Sequence, residues 1–190
     1  MPKKYFFYTL LSLILALLLI YYLKNIQNTA SAPISAQQTN QASPSGQLTI
    51  GIQTKTTDCQ IRGPLPDPDC TPGQIIESAT KEQICVPGYT KSVRNVPQSE
   101  KEKVFSEYGI TNRQPGEFEV DHLISLELGG SNGIANLFPE AAQPRPGFHE
   151  KDKLENYLHD QVCNDAISLS DAQLQIAHDW LYVYQKMLIK

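Results

Sequence analysis

Residues 118–141 read FEVDHLISLELGGSNGIANLFPEA, and this stretch predicts the centre of the fold. From Phe118 to Leu128 every second side chain falls on one side, and that side is mostly apolar, which is the pattern of a half-buried β-strand. The segment GGSNG supplies a turn and IANLF supplies a return strand. The pattern therefore predicts a β-hairpin that carries Asp121 and His122 on neighbouring positions, which a regular strand points to opposite faces.

The N-terminal segment, residues 1–24, is predicted to be a membrane anchor or an export signal. Residues 5–23 form an uncharged apolar run of 19 residues, close to the roughly 20 that a helix needs to cross a bilayer. Lys3 and Lys4 precede the run and favour an amino end in the cytoplasm. Ala30-Ser31-Ala32 resembles a small-residue cleavage site, so a cleaved signal is the alternative. Both alternatives place the rest of the chain outside the cytoplasm.

Composition divides the remaining chain into a linker and a folded domain. Residues 25–47 are rich in Ser, Ala, Gln, Thr and Pro and predict a flexible linker, so the folded domain is predicted to span residues 48–190. All 20 Asp and Glu residues follow Pro33, whereas 3 of the 16 Lys and Arg residues precede it. Such an acidic domain is poorly suited to gripping a long duplex by its phosphates. Any contact with nucleic acid is therefore expected to be local or assisted by a metal ion.

The cysteines indicate an oxidising compartment. Their number is even and none belongs to a C-x-x-C pair, so two disulfides are expected rather than a zinc site. Four cysteines allow three pairings, and proximity in the sequence favours Cys59 with Cys70 and Cys85 with Cys163. Residues 54–75 are dense in Pro, Gly, Asp and Cys, and they predict an irregular lobe tied by a disulfide.

Helical signals flank the hairpin. Ser99 to Glu102 fits a capping box and Gly109 is a stop signal, which predicts a helix from about 100 to 108. Apolar residues at helical spacing predict a second helix in HEKDKLENYLHDQVC, residues 149–163. Ser170 begins another capping-box candidate, and the last helix is expected to bury a stripe of apolar residues. That stripe comprises Leu174, Ala177, Leu181, Tyr184 and Leu188.

Between the lobe and the first of these helices, ICVPGYTKSVRNVP (84–97) is predicted to be a short extended segment with a Pro-Gly turn. Lys91 and Arg94 in this segment are candidates for contacting phosphates, as is Lys151 further along the chain. The predicted order is a lobe, a helix, a hairpin and two helices, which is an α+β fold.

Several motifs in this order resemble the HNH, or ββα-metal, nuclease motif. An Asp-His pair ends one strand, Asn136 lies fourteen residues beyond His122 in the return strand, and a helix with polar residues at its start follows. The match is closer to a group of small bacterial HNH-type proteins, through DHLISLELGGSN, NLFPE, KDKLENYLHDQVC and, upstream, DPDCTPG and ICVPGYTK. The resemblance covers roughly residues 66–185.

This resemblance implies an α+β fold with a ββα-metal hairpin–helix centre, additional helices and the disulfide-tied N-terminal lobe. It implies a metal-dependent endonuclease that acts on nucleic acid, DNA more than RNA. In a bacterium the domain would be held at the inner membrane and face the periplasm or the exterior, or it would be secreted. A partner protein could supply basic surface or inhibit the activity during export.

Phosphodiester hydrolysis explains the residue types of the motif. A neutral imidazole at His122 suits the general base that activates water. One divalent metal ion such as Mg²⁺ or Mn²⁺ would neutralise charge that develops on the phosphate and the leaving oxygen, and Asp121 offers a hard carboxylate ligand. The resemblance implies that Asn136 orients the His122 ring.

The second protein ligand is expected near the start of the helix that follows the hairpin. His149 is the first candidate and Asp152 the second, because residues three apart share a helical face. A nuclease requires Asp121, His122 and one of these two to converge around an open cleft. A buried His122 ring would instead favour a different class of function, a non-catalytic binding or adaptor module on the same scaffold.

Overall fold

The computed structural model describes residues 23 and 50–189, and residues 50–189 belong to one compact unit. The predicted linker and the predicted anchor, apart from Leu23, lie outside the described residues. Among the residues that are described, no helix combines the length and the apolar character needed to cross a bilayer.

Residues 50–189 form a mixed α+β fold with five α-helices and a two-stranded antiparallel sheet. The elements are α1 (Lys81–Ile84), α2 (Tyr89–Val93), α3 (Gln98–Glu107), β1 (Phe118–His122), β2 (Leu137–Ala141), α4 (Phe148–Cys163) and α5 (Leu169–Met187). Two short 3₁₀ turns, Leu126–Leu128 and Ile134–Asn136, lie between the strands.

The hairpin is shorter than the sequence pattern predicts. β1 ends at His122, which pairs with Leu137, and the segment predicted to continue the strand to Leu128 turns away from the sheet. The return strand is also displaced, because it begins at Leu137 rather than at Ile134. The residues between the strands form a loop whose apolar side chains point into the core, since Leu123, Ile124, Leu126 and Leu128 are all buried.

Asn136 is the reason that the strand stops. Its side-chain Oδ1 accepts the backbone N–H of Ile124 at 2.9 Å, and its Nδ2 donates to the Ile124 carbonyl oxygen at 2.9 Å. One side chain therefore satisfies both backbone polar groups of Ile124, the residue at which the chain leaves the sheet. Gly130 completes the loop, because a Cβ at this position would overlap the carbonyl oxygen of Ile124.

The predicted disulfide pairing is confirmed. Cys59 is bonded to Cys70 within an irregular lobe that contains no helix or strand element between residues 50 and 80. Cys85, which follows α1, is bonded to Cys163, the last residue of α4. No cysteine of the described chain is free.

The helices lie close to where the sequence predicts them, but their buried faces and first residues differ in part from the prediction. In α4 the predicted apolar residues Leu154, Leu158 and Val162 are buried as expected. The predicted stripe of α5 is only partly right: Tyr184 is buried and Ala177 and Leu181 pack against the core, but Leu174 and Leu188 are 43% and 63% exposed. α5 also buries Ala172, Ile176 and Trp180, which the prediction did not include.

Two predicted helix starts and one predicted extended segment are corrected. α3 begins at Gln98 after Pro97, because proline sets an extended N-cap and the Ser99 capping box is not formed. α5 begins after Ser168 rather than Ser170, since the Ser168 hydroxyl accepts the N–H of Asp171. The segment predicted to be extended contains the helix α2.

Candidate functional site

The candidate site lies where β1 ends and α4 packs against the hairpin. Asp121 and His122 are the last two residues of β1, so strand alternation points them to opposite faces at the loop end of the hairpin, where the chain leaves the sheet. Glu119 and Glu140 are directly paired across the two strands and share the Asp121 face. α4 brings Lys151 to this face, whereas the loop between the strands lies beside His122.

The His122 ring is oriented by Asn132, a residue of the loop. Its Nε2 lies 3.2 Å from Asn132 Oδ1. The Asn132 amide is itself held by two backbone groups, because its Nδ2 donates to the Val93 carbonyl at 2.8 Å and its Oδ1 accepts the Asn95 N–H at 3.0 Å. An amide oxygen only accepts hydrogen bonds, so Nε2 of His122 must carry the proton. Nδ1 then has the lone pair, and no described residue forms a hydrogen bond with it.

His122 is neutral at physiological pH. The residue is only 3% exposed, and this burial lowers the pKa of His122 to about 4, although the nearby Asp121 carboxylate acts in the opposite direction. A neutral imidazole with a free Nδ1 is the protonation state that a general base requires. The low pKa also means that the ring gains a proton less readily than an ordinary histidine.

Lys151 is a buried cation at the centre of the Asp121 face. Its side chain is 0% exposed, and its Nζ lies 2.7 Å from Asp121 Oδ2 and 2.7 Å from the carbonyl oxygen of His122. Nζ also contacts Glu155, one helical turn further along α4. Burial disfavours the ammonium, but the charges of Asp121 and Glu155 outweigh that cost and raise the pKa of Lys151. Lys151 therefore ties the end of β1 to α4.

The carboxyl groups around Lys151 differ in their protonation. Burial opposes ionisation of Asp121, but the Lys151 charge prevails and the pKa of Asp121 is lowered. Burial raises the pKa of Glu155 to about 7, even with Lys151 in contact. Glu140 is 1% exposed, and burial together with the Asp121 charge raises the pKa of Glu140 well above its usual value. The protonated Glu140 carboxyl group donates a hydrogen bond to the Asp121 carboxylate. The single ammonium group of Lys151 therefore does not keep all three carboxyl groups ionised.

Further carboxylates extend the negative charge to the surface. Desolvation and the neighbouring Asp121 raise the pKa of Asp152, and the same two causes raise the pKa of Glu119. His149 and Arg94 oppose these shifts at both residues, so both side chains lie near this edge. The outer edge of the site thus carries more negative than positive charge.

The structure brings some of the predicted site residues together and separates others. Within residues 50–189, the one group of three potential ligands whose atoms all lie within 4.8 Å is Cys85, His159 and Cys163. Those two cysteines form a disulfide, so this group offers no thiolate to a metal. Asp121, His149 and Asp152 do not converge to that distance. His149 is exposed, and its ring contacts the Phe148 ring in a tilted arrangement, with the ring centroids 4.3 Å apart.

Two other predicted roles change. Asn136 is fully buried and hydrogen-bonds to the loop backbone, while the partner of the His122 ring is Asn132. Lys151 was expected at a substrate surface, but its complete burial in ion pairs excludes contact with a substrate. Lys91 and Arg94 are exposed in and after α2, as a phosphate contact requires.

Sequence reasoning missed three residues of the site, Asn132, Glu119 and Glu140. Glu155 was one of several helix residues available as a ligand, but its pairing with Lys151 was not predicted. Lys151 and Glu155 are four apart in KDKLEN, a spacing that marks a helical ion pair. Asn132 lies in the SNG segment, where an asparagine is also an ordinary turn residue. The two strand glutamates carry no signal beyond their alternation with apolar neighbours.

The donor set fits a hard divalent cation. Mg²⁺ is usually held by one or two carboxylates and keeps several of its waters. Asp121 and Asp152 are carboxylates of this acidic group, and desolvation together with the Asp121 charge raises the pKa of Asp152. One oxygen of Asp121 is taken by Lys151, so its other oxygen would be the ligand. Asp121 and Asp152 would thus hold the ion, with Glu119 nearby.

Comparison of the chain with models of protein families, with curated proteins and with solved structures finds no match to any of them.

Proposed function

We propose that this protein is a metal-dependent endonuclease of the HNH type that hydrolyses phosphodiester bonds of nucleic acid, DNA in preference to RNA, outside the cytoplasm. The observation that carries the proposal is the state of His122. Its Nε2–H is tied to Asn132, its Nδ1 is left unengaged, and burial keeps the ring neutral. The adjacent Asp121 and the acidic edge that includes Asp152 provide hard oxygen donors beside this base.

In this proposal His122 accepts a proton from the attacking water at Nδ1. Burial makes the ring a weak base, but the imidazolium that forms is stabilised by the Asp121 carboxylate, which favours the charged form of His122. Asn132 keeps the ring in one tautomer throughout. Lys151 holds the end of β1 in place through the His122 carbonyl and Asp121. A divalent cation on Asp121 and Asp152 would supply positive charge against the phosphate oxygens.

The test is nicking of supercoiled plasmid by the full chain, purified in mild non-ionic detergent with its disulfides intact. Reactions contain Mg²⁺, Mn²⁺ or EDTA, and a parallel series uses single-stranded RNA. We expect nicking with a metal ion and none with EDTA. His122→Ala should lose at least about 100-fold in rate, because general bases contribute on the order of 10²–10⁴-fold.

A matched control is His178→Ala, which removes an exposed histidine from α5. This variant should nick at the wild-type rate. Because His122 is buried, His122→Gln is tested beside the alanine variant, and far-ultraviolet circular dichroism establishes that each variant is folded. Nicking by a folded His122 variant at the wild-type rate would refute the assignment of the base.

A second candidate function is a non-catalytic binding module, and two observations favour it. The His122 ring is 3% exposed, and one oxygen of Asp121 is already bound to Lys151. If a folded wild-type chain cleaves neither DNA nor RNA with either metal ion, the binding module replaces the nuclease. The Asp-His pair would then be a structural element of the hairpin.

A further inference from the structure

A cleft of about 570 Å³ runs along β1 beside the candidate site. One wall is α3, a second is the loop at residues 113–116, and a third is β1 itself. Arg94 lies at the end that is nearer to His122. Its lining includes Arg94, Lys101, Phe105, Arg113, Phe118 and Val120, and we call this space the Arg94 cleft.

Two cations of the Arg94 cleft are available to a ligand. Arg94 and Lys101 take part in no salt bridge within residues 50–189. Arg113 differs, because its Nη2 donates to both carboxylate oxygens of Glu102 at 2.8 Å, and its guanidinium lies 3.9 Å from the centroid of the Phe105 ring. Arg113 and Phe105 thus form a rigid wall, while Arg94 and Lys101 offer unpaired positive charge.

The cleft is continuous with the candidate site. Val120 and Glu119 line the cleft, and they precede Asp121 and His122 on the same strand. Arg94 lines the cleft and lies between Val93 and Asn95 in the chain. The backbone groups of these two residues hold the Asn132 side chain, which contacts the His122 ring, so Arg94 links the cleft to the candidate site. A chain bound in the cleft would therefore lead toward His122.

The shape and chemistry of the cleft suit a single strand. Phe118 presents a partly buried aromatic ring, and base stacking on aromatic rings together with cations along the backbone is how proteins bind single strands without reading sequence. A duplex keeps its bases stacked inside and its phosphates on a convex surface, so it cannot enter a concave space of this size. The acidic charge of the domain also disfavours a long duplex footprint.

We propose that the Arg94 cleft is the substrate subsite of the protein and binds one or two nucleotides of single-stranded nucleic acid, with Arg94 and Lys101 on the phosphates and Phe118 against a base. This inference rests on the proposed nuclease function and narrows its substrate class. It also assigns Lys101 and Phe118 a role in substrate binding.

The test measures binding without cleavage, by fluorescence anisotropy of the full chain in detergent with EDTA. The probes are labelled oligothymidylate and oligouridylate of about ten nucleotides and a mixed-sequence duplex of the same length. The wild type should bind both single strands more tightly than the duplex. The double variant Arg94→Gln/Lys101→Gln should bind them about tenfold more weakly, and its slope of log K against log salt should fall by about 1.4, since each lost phosphate contact on a single strand contributes about 0.7.

The matched control is Lys153→Gln/Lys186→Gln, which removes the same charge from exposed positions outside the cleft and should leave both quantities unchanged. Phe118→Leu should weaken binding of single strands without changing the salt slope. Tighter binding of the duplex, or equal losses in the two double variants, would overturn the subsite. These measurements need no turnover, so the two proposals can fail separately. If the single strands bind as expected but no nucleic acid is nicked, only the nuclease function is refuted. If the wild type nicks but the cleft variant binds single strands as tightly as the wild type, only the subsite is refuted.

Discussion

Replacing Lys151 with methionine should destabilise the protein more than any change at an exposed charge. Lys151 is 0% exposed, and its ammonium neutralises Asp121 and Glu155 and donates to the His122 carbonyl. Methionine fills a similar volume and supplies neither charge nor donor. Asp121 and Glu155 would then lie beside each other without a counter-ion, and the carbonyl would lose a hydrogen bond.

The expected loss in the free energy of unfolding is about 3–5 kcal/mol, the usual cost of removing one partner from a buried ion pair. Lys153→Met is the matched control, because Lys153 is 60% exposed and pairs only with Glu150 at 3.5 Å. Exposed substitutions of this kind change stability by less than about 0.5 kcal/mol. The comparison therefore separates the loss of a buried charge from the loss of any lysine in α4.

Urea denaturation followed by tryptophan fluorescence is a suitable assay, since the single Trp180 is buried in the core. At a slope of about 2 kcal/mol per molar urea, Lys151→Met should lower the midpoint by roughly 2 M. Adding Glu155→Gln to Lys151→Met should recover about 1–2 kcal/mol, because a buried glutamine needs neither a counter-ion nor the uptake of a proton on folding. A midpoint of Lys151→Met within about 0.3 M of the wild type would refute the conclusion that this cation ties β1 to α4.

Two further predictions concern groups beside the same cluster. Glu140 stays protonated in the folded chain but ionises near pH 4.5 when unfolded, so its contribution to stability falls as pH rises above about 4.5, by roughly 1.4 kcal/mol for each unit by which its pKa is raised. Glu140→Gln should therefore have a higher melting temperature than the wild type at about pH 8 and an equal one at about pH 4. The exposed control Glu77→Gln should show no such difference. If the melting temperatures of the wild type and Glu140→Gln change with pH in parallel, Glu140 is not neutral in the folded chain. Asn132→Ala should reduce nicking by about 10–100-fold, because it frees the His122 tautomer, and unchanged turnover in a folded variant would exclude Asn132 as the positioning residue.

The elements that could be predicted from the sequence are those that depend on local pattern. The apolar spacing of Leu154, Leu158 and Val162 decides the buried face of α4, and nothing in the tertiary structure opposes it. The disulfide pairing also followed from proximity, since one bond lies within the lobe. The hairpin was predicted correctly in kind, with β1 containing the Asp-His pair at its end.

The parts that failed depend on contacts between distant residues. Strand alternation continues to Leu128 in the sequence, but the Asn136 side chain takes the backbone groups of Ile124 and stops the strand. Lys151 looked like a surface cation, because a sequence does not show that Asp121, thirty residues earlier, provides its counter-ion. The orientation of His122 depends on Asn132, whose amide is held by backbone groups of a different segment.

The disulfide between Cys85 and Cys163 makes the stability of the candidate site depend on the redox conditions around the protein. It joins residues 78 apart, and the loop that it closes contains β1, β2 and most of α4. Closing a loop of this length removes about 4.5 kcal/mol of freedom from the unfolded chain, a large share of the roughly 5–15 kcal/mol that stabilises an ordinary domain. A newly made chain in a reducing cytoplasm lacks this contribution and holds Asp121 and His122 less firmly in place. If the proposed nuclease is exported as the sequence predicts, this disulfide would form only after the chain has left the cytoplasm, and the site would reach its full rigidity away from the genome of the cell that makes it.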